Sequence, residues 1–393
     1  MITVNKAINK LKEYMHECNE IEIVPFDKAV GYVLAEDVVS NINVPDFPKS
    51  AMDGYAFNHK DITENKTFSV IGENAAGNFN DYEYKSNSCV RVMTGGYVPT
   101  GYDCVIKQED IQILGNFVKV LKPVEKFFNY CQVGEDIKKG QIILNKGEVI
   151  NHNHVGILAS LGLEQIKVYR PLKVSIVATG SELLKPGEEL IKGKIYCSSL
   201  YIIKSILENY KIEVVSNKII TDDIDSIKQT IIEESKKADI ILTTGGVSVG
   251  KFDHMPKIFE ELEADILFRK VSMKPGTPVT AGYFNNKIIL SMSGNPFATM
   301  VNFQVLFWPM VEKYYNSAFF KHEIFIKIVK DSGLKPSKIT RFIRAKAQDE
   351  YVKLESLHKS SVISNLSDCN CLVIQEPNKK IEEGDQVKII YLF

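Results

Sequence analysis

The stretch DIILTTGGVSVG (residues 239–250) is an apolar run that passes directly into a glycine-rich turn. A continuous apolar run of this kind reads as a strand covered on both faces, the habit of parallel sheets. Gly245, Gly246 and Gly250 would let backbone amides approach an anion where the next helix begins, and Ser248 adds a hydroxyl. Neither GxxxxGK[ST] nor GxGxxG is present, so the turn is not a Walker loop or a dinucleotide fingerprint.

The same rhythm extends to both sides. Strands are predicted over 174–178, 213–215, 239–243, near 266–268 and over 288–291, with helices over 199–210, 225–237, 254–262 and 296–315. Strands alternating with long amphipathic helices define βαβ units and a doubly wound, mainly parallel α/β sheet. In such sheets ligands sit in loops beyond the carboxyl ends of the strands. After residue 319 the period returns to two in EIFIKIV, YVKLESL, CLVIQE and QVKIIYLF, which predicts a small β-barrel or sandwich at the C-terminus. Upstream, Thr3 caps a helix with Val4, Ala7, Ile8, Leu11 and Met15 on one face. A strand over 22–24 and a short helix over 27–35 follow. From residue 45, β-type runs at 68–71, 89–93, 104–108 and 117–121 alternate with Gly, Asn and Pro turns, a β-rich domain. A helical stretch at 154–161 and a strand at 166–169 precede a boundary at Arg170–Pro171.

Two further loops suit an anion. In SGNP (residues 293–296), Gly294 is permissive, Asn295 is a good N-cap and Pro296 suits the first helical position. MKPGTP (residues 273–278) sets Lys274 and Pro275 in a rigid turn, with Lys270 four residues earlier. Carboxylates stand beside these loops: Glu182 in ATGSEL, Asp222 and Asp223 after the second sheet strand, and Asp253 past the glycine turn. Each acid has a plainer use as a helix cap or first-turn charge. Together, acids beside phosphate-binding amides call for a hard cation such as Mg²⁺, and so for metal-assisted phosphoryl chemistry.

Composition narrows the classes. With 48 basic and 49 acidic residues, the chain lacks the basic excess of a nucleic-acid or membrane-surface protein. No run approaches the roughly 20 apolar residues that span a bilayer, and residues 1–15 lack a secretory signal, so a cytoplasmic protein is expected. Seven cysteines without CxxC pairing read as reduced thiols. His152 and His154 read as a capping or solvated pair, and no GxSxG or other nucleophile–base pair is present.

SAMDGYA, VRVMTGGYVPTGYDCVI, VGEDIKKG, GILASLG, VATGSEL, TTGGVSVGKFDHM, MKPGTP, SGNP and EEGDQVKII occur in this order. In that series the chain resembles the molybdopterin molybdenumtransferase family, which includes bacterial MoeA and the gephyrin E domain. The resemblance implies a multidomain α/β plus β protein. A split N-terminal domain (1–38 and 137–170) would carry an inserted β-rich domain (39–136), followed by a molybdopterin-binding α/β domain (171–319) and the barrel-like domain (320–393). It implies a homodimer that takes adenylylated molybdopterin and molybdate with Mg²⁺ and releases AMP. Transient contacts with the molybdopterin adenylyltransferase and with apo-molybdoenzymes follow from that role. By motif, Asp53, Thr94, Asp136, Glu182, Asp222 and Asp253 match functional positions, with Glu182, Asp222 and Asp253 as candidate metal ligands. Lys270 and Lys274 match basic positions suited to holding the tetrahedral oxyanion or a phosphate, and Ser360 a serine of the last domain. In family dimers the Asp53, Thr94 and Asp136 loops face the other subunit's sheet domain. The chain departs from the family pattern at Ser293 (for proline), Thr277 (for lysine), Cys197 and Ser199 (for an acid and an amide) and Lys359 (for glycine), which leaves tungstate open as the oxyanion. An adenylyltransferase and a non-catalytic scaffold are the competing readings.

Overall fold

The computed structural model describes residues 1–246, 254–355 and 359–392. The chain sorts into two compact units, one of residues 1–36, 147–151 and 165–393, the other of residues 37–146 and 152–164.

The first unit is built on a six-stranded sheet. Its order is Glu213–Ile220, Lys173–Thr179, Ile240–Thr244, Lys287–Met292, Thr280–Phe284, Asp265–Arg269. The first four are mutually parallel, and the last two complete the sheet as an antiparallel edge. Successive side chains of a strand point to opposite faces, and here both faces are apolar. Val174, Ile176, Leu242 and Leu290 pack on one side with the helices Val4–Tyr14, Ser199–Asn209 and Pro296–Leu306. Ile241 and Ile289 pack on the other with Ile227, Ile231, Ile258 and Phe259. That two-sided burial is why the strands read as unbroken apolar runs. Beyond the sheet, five strands close a barrel: Thr340–Gln348 pairs with both Tyr351–Leu354 and Cys371–Gln375, and Phe325–Lys330 and Gln386–Tyr391 complete the ring. Its interior is Val329, Ile343, Ala345, Val352, Cys371, Val373 and Ile389.

The second unit centres on a mixed six-stranded sheet, ordered Cys104–Lys107, Gly54–Phe57, Ser88–Val92, Thr67–Asn74, Phe117–Val120, Ile111–Leu114. Alternation along Gly54–Phe57 sends Tyr55 and Phe57 into one apolar cluster and Ala56 into another.

Several elements differ from the sequence reading. The predicted helix over 27–35 is only a 3₁₀ turn, Phe26–Lys28. Gly31 takes φ +89°, and residues 33 and 34 become extended, bridging Val149 and Val168. The predicted helix over 296–315 is two, Pro296–Leu306 and Trp308–Tyr315. Pro309 has no amide to bond back to residue 305, so the ladder breaks although Phe307 keeps helical angles. Strands Thr280–Phe284 and Thr340–Gln348 were not anticipated, and the strand from Glu213 runs on to Ile220. Among the described residues no helix is long and apolar enough to cross a membrane.

Trp308 is fully buried, donates its indole N–H to Gln304 Oε1 at 3.2 Å and stacks on Phe320. Trp308→Ala is expected to cost about 3–5 kcal/mol. Urea unfolding followed by circular dichroism measures this, and a loss under about 1 kcal/mol would rule out a central role in the core.

Candidate functional site

Three loops leave the carboxyl ends of adjacent parallel strands and meet. Thr179 ends the strand Lys173–Thr179, and its hydroxyl donates to the Thr244 carbonyl at 3.2 Å. The Gly245 amide donates to the Met292 carbonyl at 3.1 Å, tying the glycine turn to the strand Lys287–Met292. Gly245 has φ +89°, and a Cβ there would stand 2.2 Å from the Thr179 carbonyl oxygen. The backbones touch at a distance that only glycine permits.

These loops line a cleft of about 660 Å³ that includes Glu182, Asp222, Gly245, Gly246, Cys197, Gly294, Asn295 and Pro296. The two adjacent acids predicted in this region divide their roles. Asp223 is the N-cap of the helix Ile224–Glu234, its Oδ2 accepting from the Ser226 amide at 2.9 Å. Asp222 faces the cleft, and its Oδ1 accepts the Ser181 hydroxyl at 2.5 Å and the Ser181 amide at 3.2 Å. The Ser181 hydroxyl does most to hold the Asp222 carboxyl below the usual carboxylate range. Asn295 holds the N-cap position of its helix but makes no side-chain capping bond, and Pro296 takes the first turn. Cys197 is buried in the cleft wall, and burial pushes its thiol up.

A second cleft, of about 770 Å³, is lined by Lys274, Pro275, Gly276, Thr277, Phe297, Arg341, Lys359 and Ser360, among others. Pro278, Ser293, Asn295 and Ser361 belong to both clefts, so the two are contiguous. Their charges differ. The described lining of the first contains Glu182 and Asp222 and no lysine or arginine. That of the second contains Lys274, Arg341 and Lys359 and no carboxylate.

Two buried polar residues that the sequence reading passed over hold these walls. Asn302 donates to the Gly276 carbonyl at 2.8 Å and accepts from the Ser293 amide at 3.3 Å, joining MKPGTP to SGNP. Arg344, from the barrel, donates to the Lys359 carbonyl at 2.7 Å and to Asn365 Oδ1 at 2.7 Å, and stacks 3.9 Å over the Phe297 ring. The Phe297 amide donates to the Ser360 carbonyl at 3.1 Å. The available signal was polar residues inside an otherwise apolar helix, and basic residues inside a run of alternating period.

The described lining of the two clefts does not include the remaining candidates. Lys270 has φ +62° and spends its backbone on Val279 and Ile2, outside the lining of both clefts. Ser248, Gly250 and Asp253 lie outside the described residues. Asp53, Thr94 and Asp136 belong to the second unit. Asp53 Oδ1 accepts both the Thr94 amide at 2.7 Å and its hydroxyl at 2.8 Å. The amide bond is the larger cause of a carboxyl held below its ordinary range. Ser50 pairs with Tyr130 and accepts at its carbonyl from the Gly95 amide, while the Asp136 amide donates to the Val44 carbonyl at 3.0 Å.

Mg²⁺ asks for one or two carboxylates, completing its shell with water and substrate phosphates. Glu182 and Asp222 on one cleft fit that demand. Among the described residues no group of three or more His, Cys, Asp or Glu forms a closed metal site.

The fold and the loop cluster define a multidomain α/β plus β protein with a doubly wound sheet domain and a ligand cleft at the carboxyl ends of its strands. Residues 175–313 match the family described as probable molybdopterin binding domain, residues 2–162 the MoeA N-terminal region (domain I and II), and residues 330–392 the MoeA C-terminal region (domain IV). The molybdopterin molybdenumtransferase of Staphylococcus aureus (strain COL) is 34% identical over 99% of this chain and 95% of its own. That of Haemophilus influenzae is 32% identical over 99% of this chain and 98% of its own. A crystal structure of the molybdopterin biosynthesis MoeA protein from Pyrococcus horikoshii OT3 aligns with TM-score 0.86 at 27% identity, covering 100% of both chains. The chain belongs to the molybdopterin molybdenumtransferase family, enzymes of molybdenum cofactor biosynthesis.

Thr94→Val removes one of the two bonds on Asp53 and should raise its carboxyl pKa. With a depressed folded value, the stabilisation from this contact is present above the ordinary carboxylate pKa of about 3.9 and is lost as pH falls through the folded value. Carboxyl-carbon NMR titration of Asp53 reads the change; an identical titration in the variant would refute the assignment.

Proposed function

We propose that the chain inserts molybdate into adenylylated molybdopterin, with Mg²⁺-dependent release of AMP. The observation that carries this reading is the partition of charge among the described residues that line two contiguous clefts. A substrate bearing a phosphoanhydride needs a hard cation beside its phosphates, and hence acids. A tetrahedral oxyanion needs cations and N–H or O–H donors. The acid-lined cleft suits the first, and the cleft with Lys274, Arg341 and Lys359 suits the second.

Within this reading Glu182 and Asp222 hold Mg²⁺, with Asp253 as a third candidate. Bound there, the ion would offset phosphate charge as the anhydride opens. The Ser181 bonds keep Asp222 ionised and fix its Oδ1. The glycine turn at Gly245 and Gly246, which lines this cleft, is assigned to the nucleotide phosphate. Lys274 and the hydroxyl of Ser360 face the oxyanion, whose sulfur ligands come from the pterin and not from cysteine. Cys197, with its thiol pushed up by burial, is a poor competitor for the metal.

The four-part division of the chain, a cytoplasmic homodimer, and transient contacts with the adenylyltransferase and apo-molybdoenzymes belong to the same proposal. So does the assignment of Asp53, Thr94 and Asp136 to the site of the partner subunit.

The test is AMP release from adenylylated molybdopterin with Mg²⁺ and either molybdate or tungstate. Glu182→Ala and Asp222→Ala are each expected to slow release on the order of 100-fold while the pterin still binds. If the wild-type enzyme binds the adduct and releases no AMP with either oxyanion, the proposal fails and a binding role replaces it.

A further inference from the structure

Part of the first cleft is apolar. Its lining includes Leu183, Ile195, Tyr196 and Ile363 beside Glu182 and Asp222. Ile195 and Tyr196 form a short strand that pairs in parallel with Leu183–Leu184, the two residues directly after Glu182. Both remain open, Ile195 at 57% exposure and Tyr196 at 43%. Such surface gives little to a phosphate or a metal ion, which need charge or polar donors. It suits a flat ring.

Tyr196 is held at both ends. On the main chain, the Ile195 amide donates to the Glu182 carbonyl and the Cys197 amide to the Leu184 carbonyl, each at 2.9 Å. At the far end of the side chain, the phenol hydroxyl donates to the Glu188 carbonyl at 2.7 Å. Glu188 is fixed in turn, its Oε2 accepting from the Lys185 amide at 2.9 Å and its own amide donating to the Lys185 carbonyl at 3.1 Å. Lys194, the residue before this strand, donates its ammonium to the Ser181 carbonyl, and the Ser181 hydroxyl donates to Asp222. The ring is therefore tied to the segment that carries Glu182 and holds Asp222. A tyrosine whose hydroxyl is already bonded loses little freedom when a second ring covers it.

We propose that Tyr196 is a further specificity-determining residue of the first cleft, the platform on which the purine ring of the nucleotide stacks. The inference rests on the reading given above, in which this cleft holds Mg²⁺ and the nucleotide phosphate. The acids and the glycine turn take the phosphate end, which a nucleotide shares with a bare sugar phosphate. Tyr196 takes the base, which a sugar phosphate lacks, and Ile195 adds apolar surface beside it. Every base has a π-face, so the platform selects a nucleotide over a sugar phosphate and not one purine over another.

Isothermal calorimetry with Mg²⁺ on the full-length protein tests it, comparing AMP with ribose 5-phosphate for wild type, Tyr196→Ala and Tyr196→Phe. Tyr196→Ala is expected to weaken AMP binding about tenfold, as loss of one base–aromatic stack does, and to leave ribose 5-phosphate unchanged. Tyr196→Phe keeps the ring and is expected to bind AMP close to wild type. Undiminished AMP binding by Tyr196→Ala, an equal loss of both ligands, or an equal loss of AMP in Tyr196→Phe overturns the platform and leaves the transferase reading intact. A wild type that binds neither ligand and releases no AMP from the adduct removes the nucleotide reading of the cleft, and the platform with it.

Discussion

Thr179 and Gly245 stand at the ends of neighbouring parallel strands with no room for a side chain between them, and the described site grows from that contact. Parallel pairing of Lys173–Thr179, Ile240–Thr244 and Lys287–Met292 delivers three chain reversals to one edge of the sheet. Main-chain bonds from Gly245 to Met292 and from the Thr179 hydroxyl to Thr244 lock the reversals together. A Cβ at position 294 would sit 3.5 Å from the Gly245 Cα, so the SGNP loop packs directly on the glycine turn. Glu182, Asp222 and the helix start at Pro296 then line the same space because the strands that carry them are hydrogen-bonded neighbours.

Around this edge, buried polar groups do what apolar packing cannot. Apolar side chains fill volume without fixing a loop's angle, whereas a buried amide or guanidinium accepts only specific partners. Asn302 bonds to two loops from different strands, and Arg344 bonds to the turn at Lys359 and Asn365 while its plane covers Phe297. Burial pushes the Arg344 guanidinium pKa down, a sign of how dry its surroundings are. Both residues are positioning groups, and neither needs to touch a substrate to shape the clefts.

The charge partition has a simple electrostatic consequence. Placing acids and cations in one small cleft would pair them with each other and leave little field for a ligand. Keeping Glu182 and Asp222 apart from Lys274, Arg341 and Lys359 in the lining of contiguous clefts leaves each group available to a ligand of opposite sign. Asp222 stays ionised through its Ser181 bonds and so remains suited to a cation.

Much of this was legible in the chain itself. Apolar runs such as DIILTT announced a sheet buried on both faces, because a strand covered twice has no polar face to show. The period-two tail announced a small β domain, barrel or sandwich, and the pairing of Thr340–Gln348 with Cys371–Gln375 decided for the barrel; glycine, proline and acid at strand ends marked the loops. Local pattern misled at residues 27–35, where Gly31 and pairing with distant backbone overrode a helical spacing, and at Pro309, where one missing amide divided a helix. The ordered motifs were sufficient to identify the family. What they could not determine was adjacency: that Asp222 faces the cleft while Asp223 caps a helix, that Lys270 is outside the described lining of both clefts, that Asn302 and Arg344 fasten the walls, and that Thr277 and Lys359 share one cleft. Those facts depend on contacts between residues far apart in the chain. Such contacts follow from packing and strand pairing, which no local spacing encodes.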